Sequence, residues 1–505
     1  MEKKKEILVI VGSLLVIILS VTLAYFTVQI IGKGKEISLD SANLKITFAS
    51  GGGNISSTNI EPGWSSGAST FTVKNESNDT YKYNIIIKDL VNTFVTKGFL
   101  LYKITSTDGG YNMGDFVDVP KSTSATDTIL AYSVEIAKGV THTYTVEFKY
   151  LTSEEDQSDD MGRILSGTLY IEKGTVQPTL AEKLFSDNPT IQTRSSFSTT
   201  FTTTNTGTLY KATESIAGST SKDVYYFAGD AKNNWVKFGD FYWRIIRTNH
   251  DGSIRMLYSG TSTDTTRGYI GGSKFNSSCA NPKYVGYMYG TGGSLSESRI
   301  NSNDSTIKTY IDNWYSTNLS SYTKYISTEA VYCNDRQIDS GQTWSTSSSS
   351  NFNYITYTRL DYNTKGAKAS PTYDCADSHD AFSGSNADAK LTYPISLMTA
   401  DEINIAGGLA FNNAPAYYYL NSAGGSITGT TYWWSLSPLR WASYISRVWV
   451  VYGSGYPGDL GDYGHVHNSF GVRPVISLKT CALWTSGNGA PETPYEISLD
   501  TDISC

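Results

Sequence analysis

Between Glu36 and Lys173 apolar and polar side chains alternate in short runs, as in Phe71-Thr72-Val73-Lys74, Tyr81-Lys82-Tyr83-Asn84-Ile85-Ile86-Ile87 and Thr143-Tyr144-Thr145-Val146-Glu147-Phe148. A period of two puts the apolar side chains on one face of a strand, and clusters of Gly, Pro, Asn, Asp and Ser end each run. Several such strands at short spacing specify an all-β sandwich over residues 33–174. That stretch has no cysteine, no histidine pair and no arrangement of carboxylates that suggests catalysis. Its expected role is a stalk or spacer.

The chain of 505 residues is too long for one ordinary core, so a multidomain protein is expected. A net charge of -7 gives phosphate no basic face to bind, which sets nucleic acid aside as a partner. Lys3, Lys4 and Lys5 precede an uncharged apolar run from Ile7 to Ile31, long enough to span a bilayer, which takes about 20 residues. Residues 1–32 are therefore expected to be a transmembrane anchor with the remainder outside the cell. The alternative is a signal segment cleaved near Ala24, giving a secreted product. All five cysteines lie in the C-terminal half without a CxxC pair, which favours structural disulfides over a metal cluster. The expected pairs are Cys333 with Cys375 and Cys481 with Cys505, leaving Cys279 free.

Residues 175–221 contain the Ser/Thr tract Ser195 to Thr206 and read as a linker with a short helical patch around Leu180 to Phe185. A second domain, residues 222–505, opens with strand-like runs at Trp235-Val236-Lys237-Phe238, Phe241 to Ile246 and Ile254-Arg255-Met256-Leu257. Helix signals are few. Ile307 to Tyr315 is one, and Thr399-Ala400-Asp401-Glu402 is a capping box whose helix stops at Gly407-Gly408. Ser340 to Asn353 is a low-complexity loop. The expected class for this domain is α+β, dominated by strands.

Within it, Trp433-Trp434-Ser435-Leu436-Ser437-Pro438 begins a strand-like block and Gly471 to Leu478 closes it with a β-branched run. From Leu439 to Phe470 there is no Lys, Glu, Gln, Met, Cys or Thr, while Tyr444, Tyr452, Tyr456, Tyr463, Trp441, Trp449, five glycines and four serines are present. Rigid aromatic anchors beside small polar residues are the composition of an antibody-like paratope. The same composition also describes a Gly/Tyr-rich turn region covering a core.

Five motifs in order, Tyr225-Tyr226-Phe227-Ala228-Gly229, Phe241-Tyr242-Trp243-Arg244-Ile245-Ile246, Leu397 to Glu402, Trp433 to Pro438 and Gly471 to Ile476, resemble the variable proteins of diversity-generating retroelements. The resemblance covers roughly Lys222 to Lys479. It implies a C-type-lectin-like fold, related to the formylglycine-generating enzyme, with a diversified ligand-binding surface over the candidate variable region 434–471. In that family a reverse transcriptase randomises template adenines, so AAC and AAT codons diversify to most residue types but never to Lys, Glu, Gln, Met or Trp. Trp441 and Trp449 would then be fixed scaffold. The diversified ligand-binding candidates are Leu439, Arg440, Tyr444, Ser446, Arg447, Val450, Tyr452, Ser454, Tyr456, Asp459, Asp462, Tyr463, His465, His467, Asn468, Ser469 and Phe470. The resemblance points to a surface protein or glycan of another cell or a phage as partner. A second resemblance, carried by Leu23-Ala24-Tyr25-Phe26-Thr27 and the sandwich after Glu36, is to camelysin-type and biofilm-fibre proteins, which are secreted.

No cofactor and no catalysis are expected. Formylglycine-generating catalysis uses paired cysteines near the C-terminal core, whereas Cys481 and Cys505 stand apart. His465 and His467 offer only two zinc ligands, and Asp459 and Asp462 lack the ladder of a calcium loop. A structural alternative is a pilus or matrix subunit whose sandwich polymerises through an exposed edge.

Overall fold

The structure is a computed structural model that describes residues 36–39, 44–48 and 62–499, apart from 97, 154–156, 202–203, 415–417, 419 and 454. It is mostly β-sheet and divides into two units, Met1–Gln177 and Pro178–Cys505. The apolar N-terminal run expected as anchor or signal lies outside the described residues. Among the described residues no helix is long and apolar enough to cross a membrane.

In the first unit the described strands are β1 (Glu36–Leu39), β2 (Leu44–Phe48), β3 (Ser69–Asn75), β4 (Tyr81–Asn92), β5 (Leu100–Ser106), β6 (Val117–Asp118), β7 (Ser122–Ile136), β8 (Thr141–Tyr150) and β9 (Leu165–Lys173). They form two antiparallel sheets, ordered β1-β2-β3-β8-β5-β6 and β7-β4-β9. β8 alternates exposed and buried residues along its length, as the sequence period requires. Phe71, Val73, Ile104, Tyr144, Val146 and Phe148 from the larger sheet share one apolar cluster with Tyr83, Ile85, Ile87, Leu169 and Ile171 from the smaller. The buried Tyr83 hydroxyl is bonded to Tyr144 Oη (2.5 Å) and His142 Nδ1 (2.9 Å), so no polar group is stranded there.

The second unit begins earlier than the sequence suggested. Residues 178–221 are not a linker: Leu180 and Leu184 of the helix Leu180–Asp187 are buried in the main core, and the strand Thr208–Glu214 pairs antiparallel with Lys222–Tyr226. Two large sheets organise this unit. The first runs through Thr208–Glu214, Lys222–Tyr226, Phe241–Thr248, Trp235–Phe238 and Tyr495–Ile497, with Ile254–Tyr258 and Pro474–Leu478 attached to Phe241–Thr248 in turn. The second is ordered Gly272–Lys274, Ser469–Gly471, Trp433–Ala442, Ile445–Val451, Asp459–Gly461, Leu409–Ala410, with Phe352–Asn353 added to Trp433–Ala442.

Short helices fill in around these sheets. Thr306–Asn318 is capped by Ser305, and Ala400–Ala406 carries the expected capping box, with Thr399 Oγ1 accepting from Glu402 N and Glu402 Oε2 accepting from Thr399 N. Gly407 ends that helix at φ 124°, a backbone conformation that a Cβ would strain. Cys333 and Cys375 are bridged, with Cα atoms 5.7 Å apart, and Cys279 is a free thiol. Cys505, the expected partner of Cys481, lies outside the described residues.

Candidate functional site

The insert is built on a hairpin. Trp433–Ala442 and Ile445–Val451 pair antiparallel and turn through Ser443 and Tyr444, at φ 54° and 64°. Two-residue turns with both positions left-handed match the right-handed twist of the flanking strands, although the turn here uses no glycine. Trp433, Trp434, Trp441 and Trp449 are all fully buried, as are Val472 and Val475. Trp434 and Trp449 anchor their indole N–H groups on Ser273 O and Thr356 Oγ1. The hairpin is therefore held from below by aromatic mass, and what remains exposed is its turn and parts of the chain that follows it, Tyr456 and Tyr463 among them.

The candidate residues separate into two sets. Tyr444, Tyr456, Tyr463 and Ser469 are exposed, and Arg440, Arg447, Asp462, His465, His467, Asn468 and Phe470 are half-buried. Leu439, Ser446, Val450, Tyr452 and Asp459 are buried, which corrects their assignment to a surface. Leu439 and Val450 belong to strands covered on both faces, and Ser446 Oγ donates to Asn281 O over 2.7 Å. The ring of Tyr452 is stacked on Tyr432, and a Cβ at Gly461 would run into it, so that glycine serves close packing. Ser454 lies outside the described residues.

Two aromatic groups meet at Asp462. On one side Tyr456 and Tyr463 stand edge-on to Tyr452, with ring centroids 6.1 and 5.8 Å away. On the other, Tyr362 is stacked on Tyr357 (4.2 Å) and edge-on to Phe411 (4.4 Å), and the Arg440 guanidinium sits 5.1 Å from its ring centre. Asp462 Oδ2 ties the second group to the hairpin by accepting from Tyr362 Oη (2.7 Å), Arg440 Nη2 (2.6 Å) and Arg447 Nη1 (3.2 Å).

Burial, the hydrogen bond to Asp462 and that carboxylate's charge raise the Tyr362 hydroxyl above the usual phenol range. Burial and the Arg447 guanidinium hold His465 below the usual imidazole range, so it is neutral at pH 7. Burial pushes Asp459 up to about 6, and Asp462 adds to the rise. His465 and His467 have ring centroids 5.9 Å apart, but among the described residues no group of three His, Cys, Asp or Glu side chains is placed to hold a metal ion.

Half-buried Tyr362, Phe411 and Tyr432, with buried Tyr357 stacked on Tyr362, are the parts of this site that sequence reasoning missed. Tyr362 follows the low-complexity loop, one hundred residues before Asp462, and no local pattern links the two.

Away from this surface the unit holds a buried charge network. Arg247 bonds Glu214 through both terminal nitrogens (2.9 Å each) and Glu402 through Nε (2.9 Å), and Arg255 bonds the same Glu402 oxygen. Arg359 clamps Asp401 and Asp335 beside it, and the Cys333–Cys375 bridge lines the same small cavity. Its charges are paired with one another, which is the arrangement of a structural network. Comparison of the chain with protein-family models, with curated proteins and with solved structures gives no match.

Proposed function

We propose that the chain is a cell-surface ligand-binding protein, an adhesin or receptor, whose second unit is a C-type-lectin-like scaffold displaying a diversified surface. The observation that carries this reading is the contrast within one segment. Three of its four tyrosines, Tyr444, Tyr456 and Tyr463, are exposed, while all four tryptophans of the hairpin are buried. Large exposed aromatics beside half-buried arginines are what binding hot spots are made of. A scaffold of tryptophans, which adenine randomisation of AAC or AAT codons cannot produce, fits the same division.

In this reading the first unit is a sandwich stalk, and the apolar N-terminal run tethers it to the membrane. The ligand is a surface protein or glycan of another cell or of a phage, and the chain is not an enzyme. The test is to sequence the gene from many isolates together with its neighbourhood. Substitutions should concentrate at residues 440, 444, 447, 456, 462, 463, 465 and 467–470, with Trp433, Trp434, Trp441 and Trp449 invariant, beside a reverse-transcriptase gene and an adenine-rich near-copy of the segment. Substitutions spread evenly over the second unit would remove the proposal.

A further inference from the structure

Arg440 and Arg447 are directly opposite each other across the hairpin. Like charges in that position repel, and here both remain on the surface segment with a single carboxylate, Asp462, bonded to them. That carboxylate meets each guanidinium through one nitrogen and shares the same oxygen with the Tyr362 hydroxyl. The Nε atoms of both arginines are buried and, among the described residues, have no partner, so only their terminal nitrogens are open to a ligand. The side chains of Arg440, Arg447 and Asp462 are 22%, 16% and 20% exposed, so the cluster is packed by neighbours and still reaches solvent.

Two guanidinium groups bond one carboxylate, and the adjacent His465 is held below the usual imidazole range by burial and by Arg447 itself. Burial, and then the facing Arg440, hold Arg447 below the usual guanidinium range, while Asp462 and Tyr362 work the other way. Guanidinium donors left over in a partly desolvated setting bind oxyanions more strongly than the same donors in open water.

We propose that Arg440 and Arg447, with Tyr362 packed against Arg440, form an oxyanion subsite, and that the ligand presents a carboxylate, sulfate or phosphate group to it. The inference rests on the display-surface reading and names the ligand chemistry of that surface. Asp462 is the internal counter-charge: it takes one bond from each arginine and leaves their other terminal N–H donors for the ligand.

The experiment is arginine footprinting of the full chain with phenylglyoxal, read by mass spectrometry, in sodium chloride, sodium sulfate and sodium acetate at equal ionic strength. Arg267, exposed and far along the chain from the hairpin, is the internal control. Sulfate or acetate should slow modification of Arg440 and Arg447 several-fold relative to chloride and leave Arg267 unchanged. The more protective salt tells a tetrahedral group from a planar one. In Asp462→Asn the same protection should appear at lower anion concentration. Equal rates in the three salts, equal slowing at Arg267, or no gain in Asp462→Asn would overturn the subsite. Any of these leaves the display surface standing, because that reading is decided by where copies of the gene differ.

Discussion

The ring of Tyr452 lies 4.5 Å from that of Tyr432 and within 14° of parallel, closed in by the backbone of Gly461. Tyr452 is thus a support for the exposed tyrosines. Tyr452→Ala should cost about 3 kcal/mol, in the range of buried aromatic truncations. Tyr456→Ala and Tyr463→Ala should change stability by about 0.5 kcal/mol or less, as exposed positions do. Thermal melts of the three variants separate support from surface.

Trp434 is fully buried and donates its indole N–H to Ser273 O over 2.8 Å. Removing it opens a cavity and strands a carbonyl, so Trp434→Ala should cost about 3–5 kcal/mol. Denaturant unfolding measures the loss. A variant as stable as the parent would mean that the hairpin does not depend on its indoles.

Glu402 holds two buried guanidinium groups and caps its own helix. Burial alone would raise its carboxyl, but Arg255 and Arg247 hold it below the usual carboxylate range. Glu402→Gln removes the carboxylate partner of Arg255 and one of the two partners of Arg247, which keeps Glu214, and should cost about 3–5 kcal/mol. The check is a melt of this variant beside one at exposed Glu182.

Asp459 has a folded pKa of about 6 against an ordinary 3.8, so the folded protein binds this proton more tightly than the unfolded chain. The group therefore opposes folding fully above about pH 6, and the cost is relieved as pH falls from 6 toward 3.8. One of its buried oxygens also lacks a partner. Asp459→Asn should raise the melting temperature at about pH 8, with the gain shrinking by about pH 4.5. Equal gains at both pH values would assign the effect to something other than this carboxyl.

The Cys333–Cys375 bridge closes a loop with a sequence separation of 42. Replacing both cysteines by alanine should cost about 2–4 kcal/mol, chiefly through the freedom returned to the unfolded chain. Reducing the parent protein should lower its melting temperature at least to that of the double variant, since reduction also reaches the bonded Cys481.

Strand alternation made the first unit legible, since β3 and β8 bury alternate residues just where the sequence alternates. The capping box at Thr399 and Glu402 was legible for a similar reason: its signal is local and its partners are three residues apart. The linker expectation fails because a Ser/Thr tract looks the same whether free or paired; here Thr204–Asn205 of the tract pairs with Asp230–Ala231, and Thr208–Glu214 just beyond it pairs with Lys222–Tyr226. In the hairpin segment, tyrosine and glycine serve both surface and core. Tyr452 and Tyr463 are the same residue type in the same stretch, yet one packs on Gly461 and the other meets solvent. The Tyr362–Asp462 contact is long-range and left no trace in either local sequence.

The four indoles sealed beneath the hairpin also make the molecule its own optical instrument. Tyrosine excitation passes readily to tryptophan over distances of this order, and Trp449 lies 6.0 Å from the ring of Tyr362, which in turn carries the Arg440 guanidinium. On the proposed reading, a group arriving at Arg440 should alter the field around that ring and with it the emission of the buried Trp449, so that occupancy could be followed by light without a label.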